Sequence, residues 1–220
     1  MLNAADFHAA ERGFGVKKLM EHHRAWVISR LVIEMESMPK MYDSFRIETW
    51  VESVKRYFSN RNFSVVGTGP DGSEHVYGYG RFIWAMIDTD TRQPVDIFSL
   101  ENVPVEVWRE SDKACPIQRC SRVSVPPEAK LVKTFDAHYS DIDINGHFNS
   151  IKYIERVLDL WPIEWHQEHS LKRIEVAFVT EAHPGDTLSI YHHQLSDLEH
   201  AMRITRPDGA ECCRCCLSFT

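Results

Sequence analysis

The sequence predicts an α+β protein made of two similar halves, each with a helix covered by antiparallel strands. A helix-like segment followed by several β-rich segments occurs twice. The Pro-Asp-Gly turns at residues 70–72 and 207–209 fall at matching places in the two halves. The 220-residue chain is long enough for one large domain or two small, closely packed ones. We interpret the pattern as a tandem duplication.

The first half, residues 1–108, begins with a helix and continues as strands. Small and aromatic residues over 2–12 are typical of a closely packed helix, which Gly13 and Gly15 end. A second short helix is expected over residues 17–23. The strand segments are rich in β-branched and aromatic residues. They cover residues 26–33, 45–57, 61–68, 75–88 and 95–99.

Residues 109–130 are interpreted as a linker, because they carry prolines, scattered charges and little periodicity. The second half, residues 131–220, repeats the plan of the first. Its helix is expected over residues 147–160, where apolar residues recur at helical spacing. Strands are expected at residues 131–139, 174–180 and 187–194, and at the end of the chain.

Charge and composition exclude several classes of function. A net charge of −7 and a pI near 5.9 argue against nucleic acid as the main partner, because phosphate binding needs a basic face. No apolar run is long enough to span a membrane, and no charged segment followed by an apolar one marks a secretory signal. We therefore expect a cytoplasmic protein without a membrane span.

Four of the six cysteines crowd into residues 212–216. A soft-metal site is one interpretation, but zinc ligands usually form two pairs separated by a loop. A terminal strand with half-buried, reduced thiols is the favoured alternative, because vicinal cysteines do not easily form disulfides with each other. The sequence therefore predicts neither a metal nor a cofactor.

The strongest candidate for a functional site is the segment 141–149. Five side chains that can hydrogen-bond or ionise lie there on alternate positions: Asp141, Asp143, Asn145, His147 and Asn149. Alternate residues of an extended segment point the same way, so these side chains are expected to converge beside the N-terminus of the following helix. A carboxylate, an amide and an imidazole are the groups of an acyl-transfer site. The alternative is a polar loop in which Asn145 or Asn149 caps the helix.

Three further residues are weaker candidates. Glu181 ends an apolar strand, where an exposed strand-end charge is the ordinary interpretation. Trp26 and Trp50 are placed on adjacent strands that would line an apolar groove, although any single tryptophan more often packs in the core. Six histidines lack comparable polar neighbours and are expected at the surface: His22, His23, His166, His169, His192 and His193.

Several motifs together point to a known family. The second half carries DINGHFN at residues 143–149, followed by KYI at residues 152–154. The first half carries WVISR at 26–30, ETW at 48–50 and RNF at 61–63. These motifs resemble those of fatty acyl-acyl-carrier-protein thioesterases of the bacterial type, and the similarity extends over nearly the whole chain.

The resemblance implies two hotdog folds in tandem, each a long helix wrapped by an antiparallel sheet. It also implies hydrolysis of the thioester between a fatty acyl chain and the phosphopantetheine arm of acyl carrier protein. The matching catalytic positions are Asp143, Asn145, His147 and Glu181. Substrate contacts are expected from Trp26, Trp50 and Asn149. The implied partner is the acidic carrier protein, and a homodimer is a further expectation.

The chain departs from the family pattern in two places. Plant members have a cysteine beside the catalytic glutamate, whereas this chain has Ala182, so a cysteine nucleophile is excluded at that position. The family has a strand and a loop ahead of the first helix, and this chain starts inside that helix. Either the sequence is truncated or the first hotdog lacks an edge strand, and the missing strand would leave a sheet edge exposed.

Two routes of hydrolysis and two other functions stay open. The nucleophile is either water activated by a carboxylate or the Asp143 carboxylate itself, with His147 handling the proton. Glu181 is expected to position either the water or Asn145. Helix N–H groups and the Asn145 amide are expected to hold the oxyanion. The alternative functions are an acyl-CoA hotdog thioesterase and a non-catalytic acyl-binding module.

Overall fold

The computed structural model describes residues 1–69, 71–100 and 109–220. The described chain forms two compact units, Met1–Cys120 and Ser121–Thr220. Pro70 of the first predicted turn and the end of the predicted first half lie outside the described residues. Among the described residues, no helix is long and apolar enough to cross a membrane.

In its described residues, unit 1 has two short α-helices and four antiparallel strands. Its elements are α1 (Leu2–Glu11), α2 (Val16–Met20), β1 (Arg24–Met35), β2 (Phe45–Val54), β3 (Phe58–Thr68) and β4 (Glu74–Asp88). The strands pair in the order β2-β3-β4-β1. The buried face of α1 carries Ala5 and Ala9. At Gly15 a Cβ atom would lie 2.7 Å from the Cα of Ala10, so only glycine lets the chain pass this close to α1.

Unit 2 has five antiparallel strands and two helices. Its elements are β5 (Lys130–Asp136), α3 (Ser150–Leu158), α4 (Ile163–Glu168), β6 (Leu171–Phe178), β7 (Thr187–Gln194), β8 (Glu199–Thr205) and β9 (Glu211–Phe219). The strands pair in the order β6-β9-β8-β7-β5. Helix α3 buries Val157, which belongs to the predicted apolar stripe, and Tyr153, which does not, whereas Ile151 of that stripe is exposed.

The strand order is the same in both units, as expected of a duplication. Each unit pairs its first strand after the helix with its last, and the intervening strands follow in reverse order. Unit 2 adds β5, which precedes its helix and pairs with β7. In unit 1 the described residues contain no strand in the equivalent place beside β2.

The free edge of β2 is partly covered by residues that the sequence assigned to the linker. Arg109 forms an isolated parallel bridge with Val51, and Glu110 N–H donates to Val51 O at 2.8 Å. The indole N–H of Trp50 donates to Lys113 O at 2.9 Å, and the Lys113 ammonium lies over the indole ring. Where a missing strand was expected to leave a sheet edge exposed, this part of β2 is therefore covered at Val51.

Two hairpins connect neighbouring strands, and the one in unit 2 was not predicted. In unit 1, the strands predicted over residues 45–57 and 61–68 are β2 and β3, and Lys55 and Phe58 exchange backbone hydrogen bonds of 2.7 and 3.3 Å between them. In unit 2, Leu195 N–H donates to Glu199 O at 2.8 Å, and this hairpin introduces β8. Neither connection contains glycine or proline, and the turn-forming Ser196 and Asp197 of the second were not recognised as a turn.

The strand predicted at residues 95–99 is wrong. Ile97–Ser99 form a short 3₁₀ helix, and the Asp96 side chain caps it by accepting a hydrogen bond from the N–H of Phe98 at 3.0 Å. Aspartate at such a position competes for backbone N–H groups and favours a turn over an extended strand.

The cysteine-rich segment is the terminal strand β9, which confirms the favoured interpretation. Cys212, Cys213 and Cys215 are buried and Cys216 is half-buried, all as free thiols. The Sγ atoms of Cys213 and Cys215 lie 3.5 Å apart. Burial raises the pKa of the Cys216 thiol to about 11, so it is a weak nucleophile near neutral pH.

Candidate active site

Asp141 connects the polar segment to α3 and is buried. Its side chain is 3% exposed, and its two carboxylate oxygens each accept a hydrogen bond of 3.0 Å from Arg156 Nη2. The backbone oxygen of Asp141 accepts from the N–H of Asn149 at 2.8 Å. A buried carboxylate is tolerated when it is paired in this way. Asp141 therefore has a structural role.

The segment from Asp143 to His147 is a tight turn, so the expectation of an extended segment is wrong. Asp143 N–H donates to His147 O at 2.8 Å, and Gly146 N–H donates to Asp143 O at 3.0 Å. Gly146 has φ of +81°, in the left-handed region that glycine adopts without strain. Because the chain reverses here, the five polar side chains do not converge on one pocket.

The carboxylate of Asp143 stabilises this turn. Its Oδ1 accepts hydrogen bonds from the backbone N–H groups of Asn145 at 2.8 Å and of His147 at 3.2 Å. Asp side chains form turns readily through such contacts. Asn145 is exposed at the tip of the turn, and the backbone of His147 is held at its end.

Asn149 is the N-cap of α3, as the sequence-based alternative proposed. Its Oδ1 accepts a hydrogen bond of 2.9 Å from the N–H of Ile151. The helix begins at Ser150, three residues later than the predicted start at residue 147. The cap satisfies one of the N–H groups that a helix leaves without intrahelical partners.

The structure brings Glu181 to His147, although 33 residues separate them along the chain. His147 Nε2 and Glu181 Oε2 are 3.4 Å apart, with side chains 23% and 40% exposed. Phe148 N–H donates to Ala182 O at 2.8 Å and ties the two segments together. Arg206 Nη1 donates to Glu181 O at 3.2 Å. An imidazole and a carboxylate therefore face each other on two anchored segments.

The pair lies above an aromatic layer. Phe148 is buried, with ring centroids 4.6 Å from Tyr153 and 5.9 Å from Phe135. Burial raises the pKa of the Tyr153 phenol, which stays neutral. Ala182 is fully buried, so the side chain at the position where plant members have cysteine points into this core. An apolar floor of this kind strengthens electrostatic interactions above it.

His183 is a neighbour of the pair that the sequence did not single out. Its ring meets that of His147 edge to face, with centroids 5.4 Å apart. The only sequence signal is spacing, because Glu181 and His183 flank the buried Ala182 and so lie on the same, solvent-facing side. The described side-chain contacts of Asp143 are with the backbone N–H groups of Asn145 and His147, and not with the side chains of this cluster.

Comparison with known proteins identifies the family. Residues 1–101 match the family described as acyl-ACP thioesterase N-terminal domain, and residues 124–220 match the acyl-ACP thioesterase C-terminal domain. A crystal structure of an acyl-ACP thioesterase from Bacteroides thetaiotaomicron superimposes with a TM-score of 0.90 at 42% identity, covering 100% of this chain and 86% of that one. The chain belongs to the acyl-ACP thioesterase family.

Plant members of the acyl-ACP thioesterase family are more distant. The chloroplastic oleoyl-acyl carrier protein thioesterase 2 of Arabidopsis thaliana is 29% identical over 86% of this chain and 52% of its own length. That of Coriandrum sativum is 30% identical over 80% and 49%. The chain thus spans about half the length of these relatives. The 12:0-ACP thioesterase of Umbellularia californica, 18% identical with a TM-score of 0.76, covers 99% of this chain and 84% of its own, and shares the fold. These likenesses confirm the predicted tandem hotdog.

In this family member, Trp26 and Trp50 are not on adjacent strands, which corrects the sequence-based expectation. The strands β3 and β4 lie between β1, which carries Trp26, and β2, which carries Trp50. Trp26 lines a cavity of about 100 Å³ between α1 and the sheet, together with Trp84 and Arg61. Trp50 is 1% exposed and bonded to Lys113 O. In the cavity beside Trp26, burial and then the positive charge of nearby Arg12 lower the pKa of the Arg61 guanidinium to about 10.

The surface assignment of His192 is also wrong. His192 Nε2 lies 3.0 Å from His200 Nδ1, and His200 is 3% exposed beside Trp161. Burial, aided by His192, lowers the pKa of His200 to about 4. His169 is half-buried and stacks on Trp165 with centroids 3.8 Å apart. The strand β8 was not predicted, so nothing in the sequence indicated that His200 faces His192 across a hairpin.

Proposed function

We propose that this chain hydrolyses the thioester of fatty acyl-acyl carrier protein and releases a free fatty acid. The observation that carries the proposal is the His147–Glu181 pair, 3.4 Å apart in the C-terminal domain of a family member. The names of its relatives, oleoyl- and palmitoyl-acyl carrier protein thioesterases, support the substrate class. Acyl carrier protein is the proposed partner. A homodimer and a cytoplasmic location remain predictions.

In the proposed mechanism, His147 and Glu181 take a proton from the attacking water. A thioester carbonyl is already electrophilic, so the site must activate a nucleophile and stabilise the oxyanion. Water adds to the carbonyl carbon as its proton passes to the pair. The carbon–sulfur bond then breaks, and the departing phosphopantetheine thiolate takes the proton. The exposed amide of Asn145 is the proposed donor to the oxyanion.

Asp143 has a positioning role in this proposal. Its Oδ1 accepts two backbone hydrogen bonds, which disperse the negative charge of that oxygen and oppose its attack on a carbonyl. The competing route forms an acyl anhydride on Asp143. Single-turnover hydrolysis in oxygen-18 water separates the two, because only the anhydride route places label in the Asp143 side chain.

Substitution of Asp143 provides a second test of its role. Asp143→Asn keeps an oxygen acceptor for the two N–H groups, so we expect kcat to stay within about tenfold of wild type. Asp143→Ala removes the shared acceptor of the two N–H groups and so loosens the turn, which should reduce activity further. If Asp143→Asn loses as much activity as Asp143→Ala, the residue acts through its charge and the positioning role is wrong.

Hydrolysis rates on two matched substrates test the function itself. Palmitoyl-acyl carrier protein and palmitoyl-CoA present the same acyl chain and pantetheine arm, so only the carrier differs. We expect a higher kcat/KM on the carrier protein substrate. Faster turnover of the CoA ester would favour an acyl-CoA thioesterase. Binding of both substrates with no turnover would leave the non-catalytic acyl-binding module.

The acyl chain is proposed to bind in unit 1, where Trp26 lines the cavity beneath α1. About 100 Å³ is small beside the roughly 300–1,000 Å³ of typical ligand pockets, so a long chain requires the cavity to widen. Trp26→Ala enlarges it and should shift the preferred acyl chain to greater length. The indole of Trp50 is buried and hydrogen-bonded to Lys113 O, so the proposed groove does not include it. Asn149 acts through the helix that it caps.

A further inference from the structure

Two imidazoles and a carboxylate of unit 2 come together at the proposed active site. A ring nitrogen of His147, a carboxylate oxygen of Glu181 and a ring nitrogen of His183 all lie within 4.8 Å of one another. Two histidines with one glutamate form a known ligand set for zinc, with a fourth position left to water or another small ligand. Calcium and magnesium prefer sets made of oxygen alone.

The three donors are held by backbone contacts of their own segments. His147 N–H donates to Asp143 Oδ1 at 3.2 Å, which fixes one donor at the end of the turn. His183 N–H donates to Asp186 Oδ2 at 2.9 Å, which fixes another at the start of the next turn. The bond from Phe148 N–H to Ala182 O joins the two segments. The site is therefore anchored before any ion arrives.

The donors are also accessible and electrostatically suited to a cation. The side chains of His147, Glu181 and His183 are 23%, 40% and 51% exposed, so an ion can reach them from solvent. The guanidinium of Arg206 lies near, but it is paired with Asp208 at 2.7 Å. The guanidinium of Arg156 lies over the Phe135 ring of the aromatic layer, but both oxygens of Asp141 accept hydrogen bonds from it.

We propose that His147, Glu181 and His183 bind a divalent transition-metal ion of the zinc class, and that binding blocks turnover. Tetrahedral zinc with bonds near 2.0–2.1 Å places its ligands about 3.3 Å apart. The three donor atoms lie within 4.8 Å of one another, and a change of side-chain torsion can move the exposed ring of His183 closer to the other two. The metal occupies the atoms of His147 and Glu181 that take the proton from water. The inhibition, although not the binding, rests on the proposed function.

Calorimetric titration with zinc chloride, run beside hydrolysis of palmitoyl-acyl carrier protein, tests the proposal. The wild type should bind one equivalent of zinc, lose activity in parallel, and regain it when a chelator is added. His183→Phe keeps the aromatic contact with His147 but has no lone pair. We expect this variant to hydrolyse substrate like wild type when no metal is present. Its affinity for zinc should fall by more than about 100-fold, because losing a ligand costs more than losing a residue that only hydrogen-bonds to a ligand.

Two other clusters could take zinc, and controls separate them. His192→Gln removes a ring from the pair with His200 and should leave zinc inhibition unchanged. Cobalt in place of zinc should show no thiolate charge-transfer band, because the cysteines of β9 take no part. The proposal fails if His183→Phe binds zinc like wild type, if the wild type binds none, or if that band appears. Zinc binding without hydrolysis of any acyl thioester would sustain the metal site and refute the proposed function.

Discussion

The two units share a strand order, and each contains partly buried arginine–carboxylate pairs, one of which in unit 2 lies outside the sheet. In unit 1, Arg81 pairs with Glu52 across the sheet, with side chains 13% and 17% exposed. In unit 2, Arg156 of α3 pairs with Asp141, which begins the turn that carries His147. The same kind of contact therefore stabilises a sheet in one unit and the proposed catalytic turn in the other. Stability and activity should separate when each pair is broken.

The largest effect is expected at the proposed base itself. His147→Ala removes the imidazole that faces Glu181, and loss of general base catalysis typically costs 10²–10⁴-fold, so we expect kcat to fall by about 10³-fold. Initial rates on palmitoyl-acyl carrier protein measure it. His22→Ala, which removes an exposed histidine of unit 1, is the matched control and should leave the rate unchanged. Turnover by His147→Ala within a few-fold of wild type would refute the assignment.

Breaking the two ion pairs tests the comparison between the units directly. Arg156→Met leaves the carboxylate of Asp141 buried without its partner, which typically costs about 3–5 kcal/mol of unfolding free energy. Arg81→Met should cost less, because Asn62 and Arg119 still donate to Glu52. Chemical denaturation measures both losses.

Activity should respond to these substitutions differently. Under conditions in which both variants are folded, Arg156→Met is expected to lose activity, because the turn before α3 loses its anchor. Arg81→Met should keep its activity. Equal activity losses in the two folded variants would mean that the turn does not depend on this pair.

Much of the fold could be predicted from local patterns. The apolar spacing of α3 and the β-rich segments depend on neighbours in the chain, and the structure contains most of them, apart from the strand expected at residues 95–99. The hairpin at Leu195 was missed because neither glycine nor proline marks it, and Ser196 and Asp197 are a weak turn signal on their own. Tertiary pairing outweighs turn propensity there.

The site was less predictable, because its contacts join distant segments. The five alternating polar residues are real, but Gly146 turns the chain and separates them. Glu181 was identified by family resemblance, and only folding shows that it faces His147. His183 had only its spacing from Glu181 as a signal, because the ring that it contacts, that of His147, belongs to another turn. Alternation predicts direction only where the backbone is extended.

The buried histidines extend the comparison to pH. His200 in unit 2 and His8 in unit 1 each have a pKa lowered to about 4 by burial, with nearby cationic groups adding to the shift. Below the ordinary value near 6.5 the unfolded chain binds protons that the folded chain does not. Stability therefore falls as the pH drops from about 6.5 to about 4 and is constant above that window.

The two histidines should contribute unequally to this pH dependence. His200 is 3% exposed, and its shift corresponds to about 3 kcal/mol, whereas half-buried His8 is screened by solvent and should contribute less. His200→Phe should therefore flatten the dependence of unfolding free energy on pH more than His8→Phe. Urea denaturation on either side of the window measures it. An unchanged slope in His200→Phe would show that another group takes up the proton.

The smallest effect is expected at the cap of α3, where the helices of the two units also differ. Asn149 caps α3 through its side chain, whereas α1 has no side-chain cap at Met1. Asn149→Ala should cost about 1 kcal/mol of unfolding free energy, as is typical of a lost N-cap. Asn149→Asp keeps the acceptor and places a negative charge at the helix N-terminus, so it should restore most of the stability. Because the cap lies two residues after His147, a loss of stability without loss of kcat would show that the turn keeps its geometry without the cap. A loss of kcat that Asn149→Asp does not reverse would instead assign the Asn149 amide a contact with substrate.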